Sequence, residues 1–238
     1  MENPVSLRLI TFDLDDTLWE VAPVLQAAEA GLQAWLAEHA PQLGGAAQER
    51  LQHSRRWLLA QDPALKGRIS ELRRRVLQHS LLQAGYAEGE ALQLAAEAFA
   101  HFLAARQRVE LFPEVRPTLE HLAGQFALGV LTNGNADVQR IGIAGYFRFA
   151  FNAEQLGVSK PDPRAFRAAL DHAGVAADQA VHVGDHPDDD IRGAQAAGLR
   201  AVWVNPQGRP WAGARQPDGQ IASLAELPAL LARWQSGG

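Results

Sequence analysis

The chain has 238 residues, of which 47% are hydrophobic and 21% are charged, with a net charge of −5 at pH 7. This composition is ordinary for a globular protein, and the negative charge argues against a nucleic-acid binder. No cysteine is present, which excludes disulfides, thiolate catalysis and cysteine-bound metals. Neither a signal peptide nor an apolar run of about 18 residues is evident, so we expect a soluble cytoplasmic protein.

The first element is a short apolar run, residues 9–12, which predicts a buried strand. It ends abruptly in the acidic sequence DLDD. Asp13 and Asp15 lie two residues apart, so on extended backbone their carboxylates project to one side. Three carboxylates in four positions repel one another unless a metal ion, a lysine or a helix N-terminus compensates. The stretch therefore predicts either two carboxylates acting on one substrate or an acidic turn that caps the next helix.

The next segment, from Pro23 to Arg108, has apolar residues at helical spacing and almost no strand pattern. We predict a helical insertion of four helices. They cover residues 24–39, 51–59, 65–83 and 91–106.

From Leu111 onward, apolar runs alternate with helical segments. This alternation predicts a parallel sheet with helices on both faces, the doubly wound Rossmann-like α/β class. The predicted strands are 126–131, 149–151, 180–183 and 201–204, and the helices lie near 116–122, 163–173, 191–197 and 224–234.

Three predicted strands end in a chemically useful residue, namely Asp13, Thr132 and Asp185. Because ligands bind beyond the carboxyl ends of parallel strands, we expect these ends to share one rim. Carboxylates without histidine or thiolate ligands favour a hard octahedral cation, above all Mg²⁺, and a lysine with a turn rich in N–H groups suits phosphate oxygens. These parts predict phosphoryl transfer. The other groups expected at the rim are Asp15, Asn133, Lys160, Asp188, Asp189 and Asp190.

The segments DLDDTL, LTNGN, SKPDP and VGDHPDDDIRGA resemble, in order and spacing, the four motifs of the haloacid dehalogenase (HAD) superfamily. The resemblance covers the whole chain. It implies a HAD-like catalytic core at residues 1–19 and 109–238, and a helical cap like that of the superfamily's first subfamily at residues 20–108.

The resemblance also implies roles for single residues. Asp13 would be the nucleophile that forms an aspartyl phosphate, and Asp15 the general acid and then base. Lys160 would neutralise charge between Asp13 and the phosphate. Thr132 and the backbone N–H of Asn133 would bind the phosphoryl group.

A Mg²⁺ ion is implied by the same resemblance. Its ligands would be Asp185, the carboxylate of Asp13 and the backbone carbonyl of Asp15. Asp190 looks like the second acid of the fourth motif, but Asp189 competes because the interval between the two acids varies in the superfamily.

Asp15 separates two chemistries of the superfamily. Its dehalogenases attack carbon and lack an acid two residues after the nucleophile, since a departing halide needs no proton. Asp15 therefore favours Mg²⁺-dependent hydrolysis of a phosphate monoester. A haloacid dehalogenase or phosphonate hydrolase, and a non-catalytic binding protein on the same fold, stay open as alternatives.

The substrate is expected to be a small phosphorylated metabolite, with neither a nucleic acid nor a membrane as partner. The opening ITFDLDDTLW, the LTNGNA turn and the long cap look most like the branch that includes flavin-mononucleotide and 5-amino-6-(5-phosphoribitylamino)uracil phosphatases. Sugar-phosphate and nucleotide phosphatases have very similar cores, and the oligomeric state is left open. The cap residues proposed to select the substrate are His53, Arg55, Arg56, Trp57, Arg68 and Arg74.

Three further features have structural interpretations, and a fourth, His186, has a functional one. His182, within an apolar run, is expected to be a core histidine with satisfied hydrogen bonds, and Trp203 a core residue. The run 73–75 is expected to be a solvated helix face. His186, beside Asp185, is expected to reach the substrate or the surroundings of the metal.

Overall fold

The computed structural model describes residues 6–236. The chain forms two compact units. One consists of the chain up to Glu20 together with the part from Glu110 onward, and the other is Val21–Val109.

The first unit is built on a six-stranded sheet in the order β3-β2-β1-β4-β5-β6, in which every pairing is parallel. The doubly wound Rossmann-like α/β class is thereby confirmed. The sixth strand, β6, was not predicted. The strands are β1 (Leu9–Phe12), β2 (Ala127–Thr132), β3 (Phe149–Asn152), β4 (Ala180–Gly184), β5 (Arg200–Val204) and β6 (Gly219–Ile221).

Strand β1 lies at the centre of this sheet, between β2 on one side and β4 on the other. All four of its residues are buried, as expected of a strand covered on both faces. The winding of the chain reverses here, since β2 and β3 extend the sheet in one direction and β4 to β6 extend it in the other. A crevice beyond the carboxyl ends of β1 and β4 is the usual ligand site in such a sheet.

Helices cover the sheet and close its core. The longest of them in this unit begins at Pro163, where the Asp162 side chain accepts a hydrogen bond from the N–H of Arg164, and ends at Gly174, whose φ of 65° is left-handed. It buries Phe166 against the sheet core. Numbered after the four helices of the second unit, those of the first are α5 (Val115–Ala123), α6 (Val138–Ile141), α7 (Ala153–Leu156), α8 (Pro163–Ala173), α9 (Gly193–Ala196) and α10 (Leu227–Gln235).

The second unit is helical, with α1 (Val21–His39), α2 (Ala47–Gln61), α3 (Ile69–Gln83) and α4 (Glu88–Arg106). The predicted start of the third helix at residue 65 is wrong, because Pro63–Gly67 forms a separate 3₁₀ turn. Within the described residues, no helix combines the length and apolar character needed to cross a bilayer.

The arginine run on α3 is mostly solvated, as expected, because two of its three residues are exposed and only Arg73 is half-buried. The Arg73 guanidinium lies 3.6 Å from the centroid of the Phe102 ring and pairs with Glu29 at 2.8 Å. Arg74 lies 5.0 Å from the centroid of Phe99. The aliphatic and planar parts of these side chains therefore pack on neighbouring helices of the same unit.

Two of the proposed substrate-selecting residues have clear surroundings within the helical unit. Trp57 is 45% exposed and stacks on His79, with ring centroids 4.6 Å apart. Arg68 forms ion pairs with Asp62 and Glu71, each at 2.8 Å, so its charge is engaged near the start of α3.

Candidate active site

Asp13 directly follows β1 at the carboxyl edge of the sheet. Its N–H donates to the carbonyl of Val183 at 2.9 Å, so the ladder between β1 and β4 continues one residue past the strand. The residue is only 8% exposed. The Asp13 carboxylate is therefore held at the point where the winding of the sheet reverses.

The chain after Asp13 folds into a tight turn that positions Asp15. Asp16 has a φ of 56°, a left-handed conformation that aspartate tolerates better than most residues. Its N–H donates to the carbonyl of Trp19 at 2.8 Å. The fully buried indole of Trp19 in turn donates from Nε1 to Oδ1 of Asp15 at 2.9 Å, which fixes one oxygen of the carboxylate.

Lys160 bridges two of the predicted site aspartates. Its Nζ donates to Oδ1 of Asp13 and to Oδ1 of Asp190, each at 2.6 Å. The residue is only 3% exposed, and burial of an ammonium group is tolerated only with such partners. Burial alone would lower the pKa of Lys160, but the two carboxylates outweigh it and hold this pKa above its usual value.

Asn133 holds the backbone of Lys160 rather than presenting a free amide. Its Oδ1 accepts from the N–H of Lys160 at 2.8 Å, and its Nδ2 donates to the carbonyl of the same residue at 2.9 Å. Nδ2 also donates to Oδ2 of Asp189 at 3.2 Å. The hydroxyl of Thr132, at the end of β2, accepts from the N–H of Gly134 at 3.1 Å. The bonds from Asn133 to the backbone of Lys160 thus connect the LTNGN turn and the SKPDP loop at the rim.

Three carboxylates form a cluster that suits a metal ion. Asp13, Asp185 and Asp190 each offer an oxygen, and these oxygens lie within 4.8 Å of one another. An oxygen-only donor set matches the preference of hard divalent cations such as Mg²⁺. Asp190 and not Asp189 belongs to this cluster, because the Asp189 carboxylate is turned toward Asn133.

The pKa values of Asp13 and Asp185 are raised within this cluster. Burial, together with the negative charges of Asp190 and Asp13, raises the pKa of Asp185 to about 8. Burial also raises the pKa of Asp13 to about 7, although Lys160 opposes the shift. A divalent cation would offset the repulsion among the carboxylates, which adds to the effect of burial, so the residues present fit the ion that the resemblance implies.

Asp190 is the most constrained of the three. Besides Lys160, its Oδ1 faces Nε2 of His182 at 3.1 Å, and its Oδ2 accepts from the backbone N–H of His186 at 2.8 Å. Burial would raise its pKa, but Lys160 and His182 outweigh burial and hold the pKa below its usual value. A Cβ at Gly184 would lie 2.3 Å from Cγ of Asp190, so the packing here requires glycine.

His182 and Trp203 contact the site in ways that sequence reasoning missed. His182 is a fully buried histidine with hydrogen bonds, as its pattern suggested, but one of its partners is Asp190. Burial lowers its pKa, and Lys160 adds to this effect. Trp203 is a core residue whose Nε1 donates to the backbone carbonyl of Asp185 at 2.8 Å. The position of His182 two residues before Gly184-Asp185 was the available signal.

His186 lies beside the cluster but its ring is turned outward. Its Nδ1 accepts from the N–H of Asp189 at 3.0 Å, and its side chain is 56% exposed. It thereby caps the π-helical turn Pro187–Arg192, which carries Asp190. Its contact with the cluster is made through the backbone.

The family model of haloacid dehalogenase-like hydrolases matches residues 7–198. The chain belongs to this family. As a HAD-like hydrolase, it is 30% identical over 229 residues to the 5-amino-6-(5-phospho-D-ribitylamino)uracil phosphatase YigB of Escherichia coli K12, covering 94% of this chain and 96% of the relative. It is 34% identical over 252 residues to the phosphoserine phosphatase of Thermus thermophilus, covering 93% and 98%.

A solved structure adds a relative with a different described activity. The crystal structure of a 2-haloacid dehalogenase from Pseudomonas syringae pv. Tomato DC3000 is 59% identical to this HAD-like hydrolase, with a TM-score of 0.94, and the match covers 96% of this chain and 99% of that one. The family and hydrolytic class are therefore shared by relatives described as phosphatases and as a dehalogenase.

Proposed function

We propose that this HAD-like hydrolase cleaves phosphate monoesters of small metabolites, with Mg²⁺ as cofactor and through an aspartyl phosphate on Asp13. The observation that carries the proposal is the Asp15 carboxylate, two residues after the nucleophile and held by the Trp19 indole. Two relatives that match nearly the whole chain are named as phosphatases, which supports this chemistry.

In the first step, an oxygen of Asp13 attacks phosphorus and the bond from phosphorus to the ester oxygen breaks. Lys160 orients the Asp13 carboxylate through Oδ1 and offsets negative charge that builds up during transfer. Asp15 gives its proton to the departing oxygen, which would otherwise leave as an alkoxide.

In the second step, water attacks the phosphorus of the aspartyl phosphate. Asp15, now a carboxylate, accepts a proton from that water. The bond between phosphorus and Asp13 breaks, inorganic phosphate leaves and both aspartates return to their starting state. Thr132 and the N–H of Asn133 are the proposed contacts for the transferred group.

Mg²⁺ would be held by Asp13, Asp185 and Asp190, with the backbone carbonyl of Asp15 as a further proposed ligand. When bound, the ion offsets the negative charge of these carboxylates and of the phosphoryl oxygens. Trp203 donates to the backbone carbonyl of Asp185, and His182 contacts the carboxylate of Asp190, as groups around metal ligands commonly do.

The helical unit Val21–Val109 is proposed as a cap that selects the substrate and excludes water. Flavin mononucleotide and the ribitylaminouracil phosphate are the proposed substrates, and the name of the Escherichia coli relative supports the second of them. Phosphoserine, sugar phosphates and nucleotides are the alternatives within the same chemistry, and the Thermus thermophilus relative favours the first of these.

A 2-haloacid dehalogenase is the second candidate function, and the 59% identical Pseudomonas syringae relative favours it. In that reaction Asp13 would attack the carbon that bears the halogen, and the halide would leave without a proton. Asp15 would then have no proton to deliver, and the aspartate cluster no phosphoryl charge to offset. The presence of Asp15 and of the aspartate cluster is our reason for preferring the phosphatase.

A substrate panel separates the two candidates. The purified protein is incubated with p-nitrophenyl phosphate, flavin mononucleotide, phosphoserine and both enantiomers of 2-chloropropionate, in Mg²⁺ or in excess EDTA, and phosphate and chloride are measured. We expect phosphate release that requires Mg²⁺ and is lost in Asp13→Asn. Chloride release that is equal in EDTA, with no phosphate release, would overturn the proposal.

A further inference from the structure

His182 lies in the buried strand β4, and both of its ring nitrogens have partners. Nδ1 lies 2.9 Å from the hydroxyl of Thr11 on the neighbouring strand β1, and Nε2 lies 3.1 Å from Oδ1 of Asp190. The ring also meets the Phe166 ring edge-on, with centroids 5.3 Å apart. The imidazole is therefore fully buried, and both of its nitrogens have a hydrogen-bond partner.

These contacts decide where the ring carries its hydrogen. A carboxylate only accepts hydrogen bonds, so Nε2 must be the donor to Asp190. The Thr11 hydroxyl both donates and accepts, so it satisfies Nδ1 whether or not that nitrogen is protonated. Nε2 therefore donates to Asp190 in each arrangement that satisfies the two partners.

The donor from His182 acts on an oxygen that Lys160 also binds. Oδ1 of Asp190 receives both Nζ of Lys160 and Nε2 of His182, and Oδ2 receives the backbone N–H of His186. Without His182, rotation of the Asp190 carboxyl would be restrained on the Oδ1 side by the flexible lysine chain alone. Any such rotation would also shift Lys160 relative to Asp13, its second partner.

We propose that His182, itself held by Thr11, is a positioning residue that fixes the Asp190 carboxylate for cation binding and for its bridge through Lys160 to Asp13. The proposal rests on the proposed function in one respect, because it takes the aspartate cluster to be a cation site. Loss of an outer partner of this kind typically lowers metal affinity or activity about 10- to 100-fold.

The test compares two substitutions that differ in the donor. His182→Gln places an amide N–H near the position of Nε2, whereas His182→Phe keeps a ring of similar volume without a donor. The dissociation constant of Mn²⁺ or Mg²⁺ is measured by calorimetry on the substrate-free protein, alongside the thermal midpoint in EDTA. We expect the dissociation constant to be about 10- to 100-fold larger in the Phe variant, and we expect the Gln variant to retain most of the affinity.

Two further variants separate positioning from packing. Phe166→Leu removes the ring that packs on His182 but no donor to Asp190, so it should lower the thermal midpoint and leave cation affinity unchanged. Thr11→Val removes the partner of Nδ1 and should weaken cation binding relative to the wild-type protein. This comparison does not need the Phe variant, so it stands if that variant does not fold, and wild-type cation affinity in Thr11→Val would count against the proposal.

The outcomes are distinct for the two proposals. Wild-type cation affinity in His182→Phe, or equal losses in the Gln and Phe variants, would overturn the role of His182 and leave the proposed function intact. Absence of divalent cation binding by the wild-type protein would instead refute the cation site, and the proposed function with it.

Discussion

Replacing Gly184 with alanine is a sharp test of how Asp190 is packed. A Cβ at this position would lie 2.3 Å from Cγ and 2.4 Å from Oδ2 of Asp190, whereas carbon atoms in contact normally lie about 3.5 Å apart. The carboxyl group would have to retreat by roughly 1 Å. It cannot do so and keep its bonds to Lys160, His182 and His186, which lie between 2.6 and 3.1 Å.

The magnitude follows from these two effects. Overpacking a core position costs about 1–3 kcal/mol, and loss of one hydrogen bond to a charged group costs about 1.5–3 kcal/mol. We therefore expect Gly184→Ala to destabilise the protein by about 3 kcal/mol or more, which lowers the thermal midpoint by roughly 6–12 °C for a chain of this size. The affinity for a divalent cation should fall at the same time, because Asp190 leaves its position.

Gly129→Ala is the matched control. Its Cβ would lie 2.2 Å from Cζ of Phe149, a comparable clash in the same sheet that involves no carboxylate. Both variants are compared by thermal denaturation and by calorimetric titration with Mn²⁺. Gly129→Ala should lose stability and keep its cation affinity. Wild-type stability and affinity in Gly184→Ala, or an equal loss of affinity in both variants, would refute the reasoning.

Three other perturbations test the electrostatics of the site. Lys160→Met removes the ammonium group that donates to the buried carboxylates of Asp13 and Asp190. It should lower the free energy of unfolding of the metal-free protein, measured with denaturant, by about 3–5 kcal/mol. An unfolding free energy close to that of the wild-type protein would contradict the role of this buried bridge. The folded-state pKa values of Asp13 and Asp185, about 7 and about 8, lie above the ordinary value of 3.8. The unfolded chain therefore releases these two protons more readily than the folded chain does. The contribution of the two protonated carboxyl groups to the stability of the fold is complete below about pH 4 and is lost as the pH rises through about 7 and 8. The midpoint in EDTA should therefore fall between about pH 4 and 8, and Mg²⁺ should raise the midpoint more at pH 9 than at pH 5; equal Mg²⁺ effects at these two pH values would contradict this. Asp15→Asn keeps an oxygen for the Trp19 indole but neither gives nor accepts the catalytic proton, so the kcat for an alkyl phosphate should fall about 10²–10⁴-fold, and more than the kcat for p-nitrophenyl phosphate; an unchanged kcat would remove Asp15 from the mechanism.

The fold and the meeting of the site residues were predictable from the sequence because parallel sheets place all their carboxyl ends on one edge. Once the apolar runs before Asp13, Thr132 and Asp185 are recognised as parallel strands, their ends have to share a rim. Strand β6 escaped prediction because it has three residues, of which only Ile221 is buried, so it has no apolar run to recognise.

The partners of individual side chains were not predictable, because periodicity reports burial but not contact. The pattern identified His182 as buried, yet its bond to Asp190 depends on how the π-helical turn Pro187–Arg192 packs over Gly184. The choice between Asp189 and Asp190 depended on the same turn, which points one carboxylate to Lys160 and the other to Asn133.

The most direct measurement of the central claim is the covalent state of Asp13 during turnover. The protein is mixed with p-nitrophenyl phosphate and Mg²⁺, quenched in acid within the first turnover and digested, and the peptide that contains Asp13 is weighed by mass spectrometry. We predict that this peptide gains the mass of one phosphoryl group, and that the gain is absent in Asp13→Asn. An unmodified peptide at every quench time while phosphate is released, or an adduct formed only with a 2-haloacid, would contradict the account.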